Sequence, residues 1–326
     1  MRKLHIEIET WPVDGSFVIA RGAKSEAVVV VAKLSSAGFI GLGECVPYAR
    51  YEETPEQTTA LIEQVRPSIE AGASRSALQT LLPPGAARNA VDCALWDLEA
   101  KQARARVWTL AGLPEPQAAP TAKTISVGTP QAMAAAARRF PDSALLKVKL
   151  TGDGDDARIT AVRAAAPRAR LIADANESWT EENFAMNYRA CQEAQVELIE
   201  QPLADGQDAL LETWRGPIPI CADESAHNIG DLEALAQRYQ AINIKLDKTG
   251  GLTAAIALAQ AAKARGFRVM VGCMVATSLS MAQASPLMPM ADWVDLDGPL
   301  LLAKDRVPGL RYADGLIHPP TPEVWG

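Results

Sequence analysis

Basic runs and aromatic side chains are scarce in this chain. The formal net charge of its 326 residues is −7, the basic residues are scattered, and only 5% of the residues are aromatic. Binding to nucleic acids or to anionic membranes requires concentrated basic residues, and single-stranded nucleic acids are held on aromatic stacking platforms. We therefore expect neither a nucleic acid nor a membrane as a partner.

Long apolar runs are also lacking. No segment reaches the roughly 18 apolar residues of a transmembrane helix, and residues 1–10 alternate like a strand rather than forming a secretory signal. The five cysteines are far apart and show no C-x-x-C spacing, which is typical of a reduced chain. The three histidines are equally dispersed, so a histidine-built zinc site is not expected. These features predict a cytoplasmic protein.

The first third of the chain passes from strand-like to helix-like patterns. Residues 1–55 are rich in β-branched residues and glycine, with a candidate loop at residues 16–22. A helix is predicted to start at Pro55 behind a Thr54 cap, and the clearest helical pattern runs from Ala86 to Arg104. Prolines after residue 112 predict a domain boundary near residue 115, which leaves an α+β domain before it.

Beyond this boundary, short apolar runs alternate with helical segments. Their starts are 21 to 27 residues apart, which is the length of a βα unit. The runs cover residues 124–127, 145–150, 171–175, 196–201, 218–222, 241–246, 268–272 and 293–296. Eight such units predict a parallel α/β barrel, although an open doubly wound sheet has similar spacing.

Polar residues recur where these runs end. They are Lys147, Lys149, Asp174, Asn176, Glu200, Asp223, Glu224, Lys245, Asp247, Asp295 and Asp297. In a barrel these ends converge on one mouth, whereas an open sheet would spread them along a line. Any single one could be a strand-end residue bonded to a loop. Their recurrence on successive strands favours a barrel with an active site at its mouth.

Three of these residues, Asp174, Glu200 and Asp223, come from consecutive strands. Three carboxylates held close together repel one another, and a divalent cation relieves that repulsion. Oxygen ligands without His or Cys suit Mg²⁺ or Mn²⁺. Glu224 is expected to point to the opposite face from Asp223, so we do not include it among the ligands.

Three lysines are expected around this acidic group. Lys147 and Lys149 share one face of a strand by its period of two, and Lys245 comes from a strand across the barrel. Asp247 is expected on the same face as Lys245. A substrate held between Lys149 and Lys245 would meet an amine on each side, although salt bridges to the acids without chemistry would use the same residues.

Two opposed bases beside a divalent ion define a class of reaction. The ion stabilises the charge that develops when a proton leaves the carbon α to a carboxylate. If one lysine removes that proton and the other returns one from the opposite side, the product is an epimer. If one lysine acts only electrostatically, a β-elimination or a cycloisomerisation results.

Two further features suggest substrate binding. Asp295 and Asp297 share a face and could hold a substrate ammonium group, although Asp297 and Gly298 could simply form a turn. Arg21 could clamp a carboxylate, or it could be an ordinary exposed arginine.

Together these residues resemble the muconate-lactonising branch of the enolase superfamily. The resemblance rests on a K-x-K pair, an acidic triple and a K-x-D pair at the spacing of that branch, namely Lys147/Lys149, Asp174/Glu200/Asp223 and Lys245/Asp247. Residues 85–98 look like its characteristic helix, and the similarity covers essentially the whole chain. The D-x-D of Asp295 and Asp297 is similar to that of the dipeptide epimerases within the branch.

The resemblance implies a (β/α)7β TIM-like barrel under an α+β capping domain. It assigns residues 1–115 and a C-terminal tail, 311–326, to the cap, and residues 116–310 to the barrel. It implies one Mg²⁺ per subunit, with Mn²⁺ as an alternative ion, bound by the three acids. It implies Lys149 and Lys245 as the acid/base pair, with Lys147 as an electrostatic helper at the substrate carboxylate.

The implied substrate is a dipeptide, epimerised between L-Ala-D-Glu and L-Ala-L-Glu during reuse of murein peptides. Arg21 would bind the side-chain carboxylate of the Glu, Thr124 would orient the dipeptide, and Asp295 and Asp297 would bind its ammonium group. Three alternatives stay open: an o-succinylbenzoate synthase-like or muconate cycloisomerase-like enzyme, an epimerase of other dipeptides, and a non-catalytic barrel that binds dipeptides or a metal. The sequence does not decide between a monomer and a homo-oligomer.

Overall fold

A computed structural model describes residues 2–140 and 144–326. The chain opens with an antiparallel sheet of three strands, β1 (Lys3–Ile19), β2 (Gly22–Ser36) and β3 (Phe39–Cys45). A turn at Ala20 and Arg21 joins β1 to β2, so most of the predicted loop at residues 16–22 is strand. Backbone pairing between Phe17 and Lys24 explains the difference, because it extends the hairpin to its tip.

Four helices follow this sheet: α1 (Pro55–Glu70), α2 (Arg75–Leu81), α3 (Ala86–Ala103) and α4 (Val107–Leu110). The predicted cap of α1 is confirmed, because the Thr54 hydroxyl accepts a hydrogen bond from the Gln57 amide at 3.2 Å. Helix α3 packs directly on β3. A Cβ atom on Gly43 would lie 1.9 Å from the Ala90 carbonyl oxygen, so only glycine allows this approach.

Helix α3 is buried on nearly every side, whereas its sequence predicts a single apolar face. Its polar side chains explain the difference, because they bond to the second half of the chain. Arg88 donates to the carbonyls of Thr249 and Gly250, and Asp92 accepts from the Thr253 amide at 2.9 Å. The helix therefore lies between the N-terminal sheet and the barrel and fixes one against the other.

The second half of the chain contains a parallel sheet of eight strands in sequential order. They are β5 (Lys123–Ile125), β6 (Leu145–Lys149), β7 (Arg170–Asp174), β8 (Leu198–Glu200), β9 (Ile220–Ala222), β10 (Ala241–Ile244), β11 (Arg268–Val271) and β12 (Trp293–Val294). The Ala122 amide donates to the Val294 carbonyl at 2.9 Å, which joins the first strand to the last. The predicted barrel with a separate cap is confirmed.

Helices follow most of these strands along the chain. They are α5 (Pro130–Ala137), α6 (Asp155–Ala165), α7 (Glu181–Glu193), α8 (Leu232–Leu235), α9 (Leu246–Thr249), α10 (Leu252–Ala264) and α11 (Ser278–Ala284). Outward-facing strand residues such as Val148 are fully buried beneath them. This arrangement leaves the inward-facing residues to form the barrel interior.

The C-terminal segment returns to the N-terminal part. Two short strands, β13 (Tyr312–Ala313) and β14 (Leu316–Ile317), form a small sheet with β4 (Ala119–Pro120). Further on, the Trp325 indole donates to the Leu42 carbonyl at 2.9 Å, and the Gly326 amide donates to Asp97 at 2.7 Å. The tail therefore joins the cap, as expected.

Candidate active site

Two layers of inward-facing side chains fill the barrel. The lower layer is apolar and closes the barrel below the site; it consists of Ala122, Leu145, Ile172, Leu198, Cys221, Ala241, Met270 and Trp293. The positions two residues further along each strand are mostly polar: Thr124, Lys147, Asp174, Glu200, Asp223, Asn243, Gly272 and Asp295. The period of two along each strand thus brings side chains from all eight strands to one level, at the carboxyl ends of the strands.

The three predicted acidic residues are brought together, and each is almost completely buried. Lys147 Nζ lies 3.0 Å from Asp174 Oδ2 and 2.7 Å from Glu200 Oε2. Burial opposes ionisation of Asp174, but Lys147 and Lys149 outweigh it and hold the pKa of that carboxyl below its usual range. Burial and the neighbouring Asp174 charge raise the pKa of Glu200 to about 7.

The three acids are the candidate ligands of a divalent cation. Within residues 2–140 and 144–326, no three His, Cys, Asp or Glu side chains form a ready-made metal cage, and lysine ammonium groups lie between the acids. The donor chemistry nevertheless fits, because all three acids are buried and offer only oxygen. Glu200 Oε2 also lacks a well-aligned hydrogen-bond donor, although Lys147 is close. The metal assignment stays a prediction.

Lys149 and Lys245 flank the acidic group. Lys149 Nζ is 2.6 Å from Asp174 Oδ2, and Lys245 Nζ is 2.7 Å from Asp223 Oδ2. Lys149 ends β6 and Lys245 follows β10, four strands further along the barrel. Burial disfavours the Lys245 ammonium, but Asp223 and Glu200 outweigh it and raise the pKa of Lys245. A compound at the mouth would therefore lie between two amines.

Asp295 and Asp297 are buried at the same mouth. Asp295 Oδ2 lies 2.8 Å from Lys147 Nζ, and Asp297 Oδ2 accepts a hydrogen bond from the Thr124 amide at 2.7 Å. Burial and the Asp295 charge raise the pKa of Asp297 to about 6. The two acids therefore hold more negative charge than Lys147 balances, which suits a cationic group of a ligand.

The cap supplies the remaining wall of this pocket through two cations and aromatic rings. Arg21 Nη2 lies 2.7 Å from Glu224 Oε1, and Arg21 Nη1 is 3.2 Å from Glu177 Oε2. Lys24 Nζ lies 4.5 Å from the centre of the Tyr48 ring. Arg21 is thus already paired with carboxylates, whereas Lys24 faces an aromatic ring.

Two orientations expected from the sequence are wrong. Asp247 does not share a face with Lys245, because β10 ends at Ile244 and α9 begins at Leu246. Its Oδ1 atom instead accepts hydrogen bonds from the Val46 amide and the Asn89 side chain, at 2.9 and 2.7 Å.

The second concerns Glu224, which does not point away from the site. It follows the end of β9 together with Asp223, so the strand alternation no longer applies, and both residues line the pocket.

Three residues of the site were missed by sequence reasoning. Asn243 donates to Glu200 Oε1 at 2.8 Å, and Lys248 donates to Asp223 Oδ1 at 2.7 Å. Lys24 is the third, and it lies outside the candidate loop at residues 16–22 that singled out Arg21. A signal for Asn243 was present, since it lies two residues before Lys245 on the inward face of β10. No pattern pointed to Lys248, because its direction depends on the short helix α9.

Comparison with known families gives two matches, in separate parts of the chain. Residues 1–112 match the family described as mandelate racemase / muconate lactonizing enzyme, N-terminal domain, and residues 131–323 match enolase C-terminal domain-like. The chain belongs to the mandelate racemase / muconate lactonizing enzyme family of the enolase superfamily.

Relatives of this chain include one named as an epimerase and one named as a racemase. It is 47% identical over 320 residues to L-Ala-D/L-Glu epimerase of Escherichia coli K12, covering 98% of this chain and 100% of the relative. It is 45% identical over 300 residues to N-acetyl-D-glutamate racemase of Pseudoalteromonas sp., covering 91% and 95%.

Solved structures of this family agree in fold. An enolase family member from Agrobacterium tumefaciens with homology to dipeptide epimerases, with bound sodium and L-Ala-L-Glu, superposes with a TM-score of 0.98 at 49% identity over all of both chains. A dipeptide epimerase from Cytophaga hutchinsonii complexed with Mg and D-Ala-L-Val has a TM-score of 0.90 at 26% identity, covering 98% and 94%. In the part of the chain that the structure describes, no helix has the length and apolar character needed to cross a membrane.

Proposed function

We propose that this chain is a Mg²⁺-dependent epimerase that interconverts L-Ala-D-Glu and L-Ala-L-Glu. The observation that carries the proposal is the pair of buried lysines, Lys149 and Lys245, on strands across the barrel with three buried acids between them. A module that only binds a ligand has no need of two opposed amines. The E. coli relative named L-Ala-D/L-Glu epimerase supports the same substrate.

In this proposal one lysine removes the proton from the carbon α to the C-terminal carboxylate, and the other lysine delivers a different proton to the opposite face of that carbon. Lys149 acts on the (S) face and Lys245 on the (R) face. The neutral amine on one side accepts the α-proton, and the ammonium on the other side donates a proton to the opposite face, so the configuration inverts. In the reverse reaction the lysine that accepted a proton becomes the donor, and the other lysine becomes the acceptor. The enzyme therefore converts either epimer into the other.

Asp174, Glu200 and Asp223 are the residues that would hold the cation, with Mn²⁺ as an alternative to Mg²⁺. When bound, the ion supplies positive charge that stabilises the carboxylate as negative charge develops on it. Lys147, buried between Glu200 and Asp295, adds a fixed positive charge beside that carboxylate. The Mg-bound dipeptide epimerase of C. hutchinsonii supports the choice of ion.

The rest of the pocket would select the dipeptide. Asp295 and Asp297 bind its ammonium group, and Thr124, whose amide holds Asp297, orients it. Arg21 and Lys24 form a cationic wall on the cap side that receives the side-chain carboxylate of the Glu. We further propose a cytoplasmic role in reuse of murein peptides, and a boundary between cap and barrel near residue 115.

Proton NMR in D₂O tests the proposal directly. L-Ala-L-Glu and L-Ala-D-Glu are each incubated with the protein and Mg²⁺, and loss of the α-proton signal of Glu is followed. Both epimers should exchange that proton and approach a common mixture. Absence of α-deuterium in either dipeptide would remove this substrate.

A racemase of N-acetylglutamate is the second candidate, because a 45% identical relative has the name N-acetyl-D-glutamate racemase. An N-acylated substrate has no ammonium group to bind at Asp295 and Asp297. The same NMR assay with N-acetyl-L-glutamate separates the two: exchange of this compound in preference to the dipeptide would favour the racemase.

A further inference from the structure

The three acids at the barrel mouth share a pattern of hydrogen bonding. In each carboxylate, one oxygen faces one or more of Lys147, Lys149 and Lys245. The other oxygen accepts a hydrogen bond from a different donor. Asp174 Oδ1 accepts from the Asn176 amide at 3.0 Å, while its Oδ2 faces Lys147 and Lys149. Glu200 Oε1 accepts from Asn243 at 2.8 Å, while its Oε2 faces Lys147.

Asp223 follows the same pattern with a different donor. Its Oδ2 faces Lys245 at 2.7 Å, and its Oδ1 is held by Lys248 Nζ, also at 2.7 Å. Of the three donors, which are the Asn176 amide, the Asn243 side chain and Lys248, Lys248 is the one that carries a charge. Its side chain is 0% exposed. It also donates to the backbone carbonyls of Asp223 and Asn243. One ammonium group therefore ties a carboxylate both to its own backbone and to the neighbouring strand.

We propose that Lys248 is a positioning residue for the metal site: it holds Asp223 so that Oδ2 is presented to the cation, and it balances one of the three negative charges. This inference rests on the proposed function, because the site must hold a divalent cation. Lys147, Lys149 and Lys245 also contact these acids, so Lys248 is one of four ammonium groups around the three carboxylates. A buried carboxylate without a partner is strongly unfavourable, so the ion pair with Lys248 stabilises Asp223 in its position.

Lys248 does not face the substrate pocket, which is lined by Lys147, Lys149 and Lys245. Its effect on the ion must therefore pass through Asp223. Partners that hold a metal ligand in place typically contribute 10- to 100-fold to metal affinity. Without Lys248, Asp223 Oδ1 would be buried without a donor, and the carboxylate would be free to turn.

The test is Mn²⁺ affinity of the whole protein, measured by calorimetry or by electron paramagnetic resonance without substrate. Lys248→Met should weaken binding by roughly 10- to 100-fold. Lys248→Gln, which keeps a hydrogen-bond donor but no charge, should have an intermediate affinity. Lys263→Met is the matched control, because this lysine lies on α10 and its side chain is 45% exposed. The Mn²⁺ affinity of this variant should equal that of the wild type.

The outcomes separate this inference from the proposed function. If the wild type binds no Mn²⁺, the metal of the proposed function fails and the inference fails with it. If the wild type binds Mn²⁺ and a folded Lys248→Met or Lys248→Gln variant binds it equally well, the inference alone is wrong. If both variants fail to fold, a crystal structure of the Mn²⁺-bound wild type decides. Coordination through Asp223 Oδ2 with Lys248 on Oδ1 supports the inference, and coordination through Oδ1 overturns it.

Discussion

At the scale of single residues, strand periodicity predicted most of the site. Lys147 and Lys149 share the barrel interior because a strand alternates its faces, and each of the three acids stands two residues beyond an apolar interior residue. The alternation stops where the strand stops. Asp247 lies on α9 and turns to the cap, which no period of two could have foreseen.

Lys149 should be required for proton transfer on one face. Replacing it with alanine removes one of two opposed bases, and loss of a general base typically slows a reaction by about 10²- to 10⁴-fold. Under the proposed assignment, Lys149→Ala should strongly slow deuterium exchange of L-Ala-L-Glu, measured by proton NMR. Equal rates for variant and wild type with both epimers would contradict a two-base mechanism.

The charge of Asp297 should be needed to bind the ammonium group of the dipeptide. Asp297→Asn keeps the shape and can still accept the hydrogen bond from Thr124, but it removes the charge. We expect kcat/KM for L-Ala-L-Glu to fall about 10-fold or more, since a charge-assisted bond contributes about 1.5 to 3 kcal/mol. An unchanged kcat/KM would mean that Asp297 does not bind the ammonium group of the dipeptide.

Lys24 should set the preference for an acidic side chain. Burial and the nearby Arg21 charge lower the pKa of Lys24, so a carboxylate beside it would be favourable. Lys24→Met should lower kcat/KM for L-Ala-L-Glu by about 10- to 100-fold and leave L-Ala-L-Met nearly unchanged. Lys33→Met, an exposed lysine on the same strand, is the control. Equal losses with both dipeptides would mean that Lys24 has only a structural role.

At the scale of elements, the spacing of apolar runs predicted the strands to within a few residues. The run at residues 196–201 became β8 (Leu198–Glu200), and the run at 293–296 became β12 (Trp293–Val294). The observed strands are shorter because the chain leaves the sheet at the mouth. Packing distance between elements was not predictable, since it depends on single glycines that face a helix only in the folded chain.

Gly43 gives a direct test of that packing. A methyl group there would lie 1.9 Å from the Ala90 carbonyl oxygen and 2.6 Å from the Ala94 amide, so α3 must move away from β3. We expect Gly43→Ala to lower the free energy of unfolding by about 1 to 3 kcal/mol or more, seen as a lower melting temperature. Gly128→Ala, whose new methyl would meet nothing nearer than 3.5 Å, should melt close to the wild type.

At the scale of the whole molecule, cap and barrel are joined through buried and half-buried polar groups that are far apart in sequence. Arg306 shows this most clearly. Its guanidinium lies 2.7 Å from Glu44 on β3 and 2.6 Å from Glu9 on β1, and it also donates to Thr277 beside the site. The pairing of Arg306 with Glu44 and Glu9 could not be predicted from one sequence, because more than 250 residues separate Arg306 from either partner.

Asp92 makes this junction sensitive to pH. Burial raises the pKa of Asp92 to about 6 in the folded protein, whereas an unfolded Asp has a pKa near 3.9. The folded state therefore binds the proton more tightly, and its stability should fall as the pH rises from about 4 to about 6. Above that range the loss is complete, at up to about 3 kcal/mol.

Asp92→Asn removes this titration, and its amide oxygen can still accept from the Thr253 amide. The variant and the wild type are unfolded with urea at several pH values, because other acids also titrate and only the difference isolates Asp92. The stability of the variant relative to the wild type should increase between pH 4 and 6 and then level off. A difference that is constant with pH would mean that Asp92 stays ionised in the junction, with its charge balanced by Arg88 and Arg75.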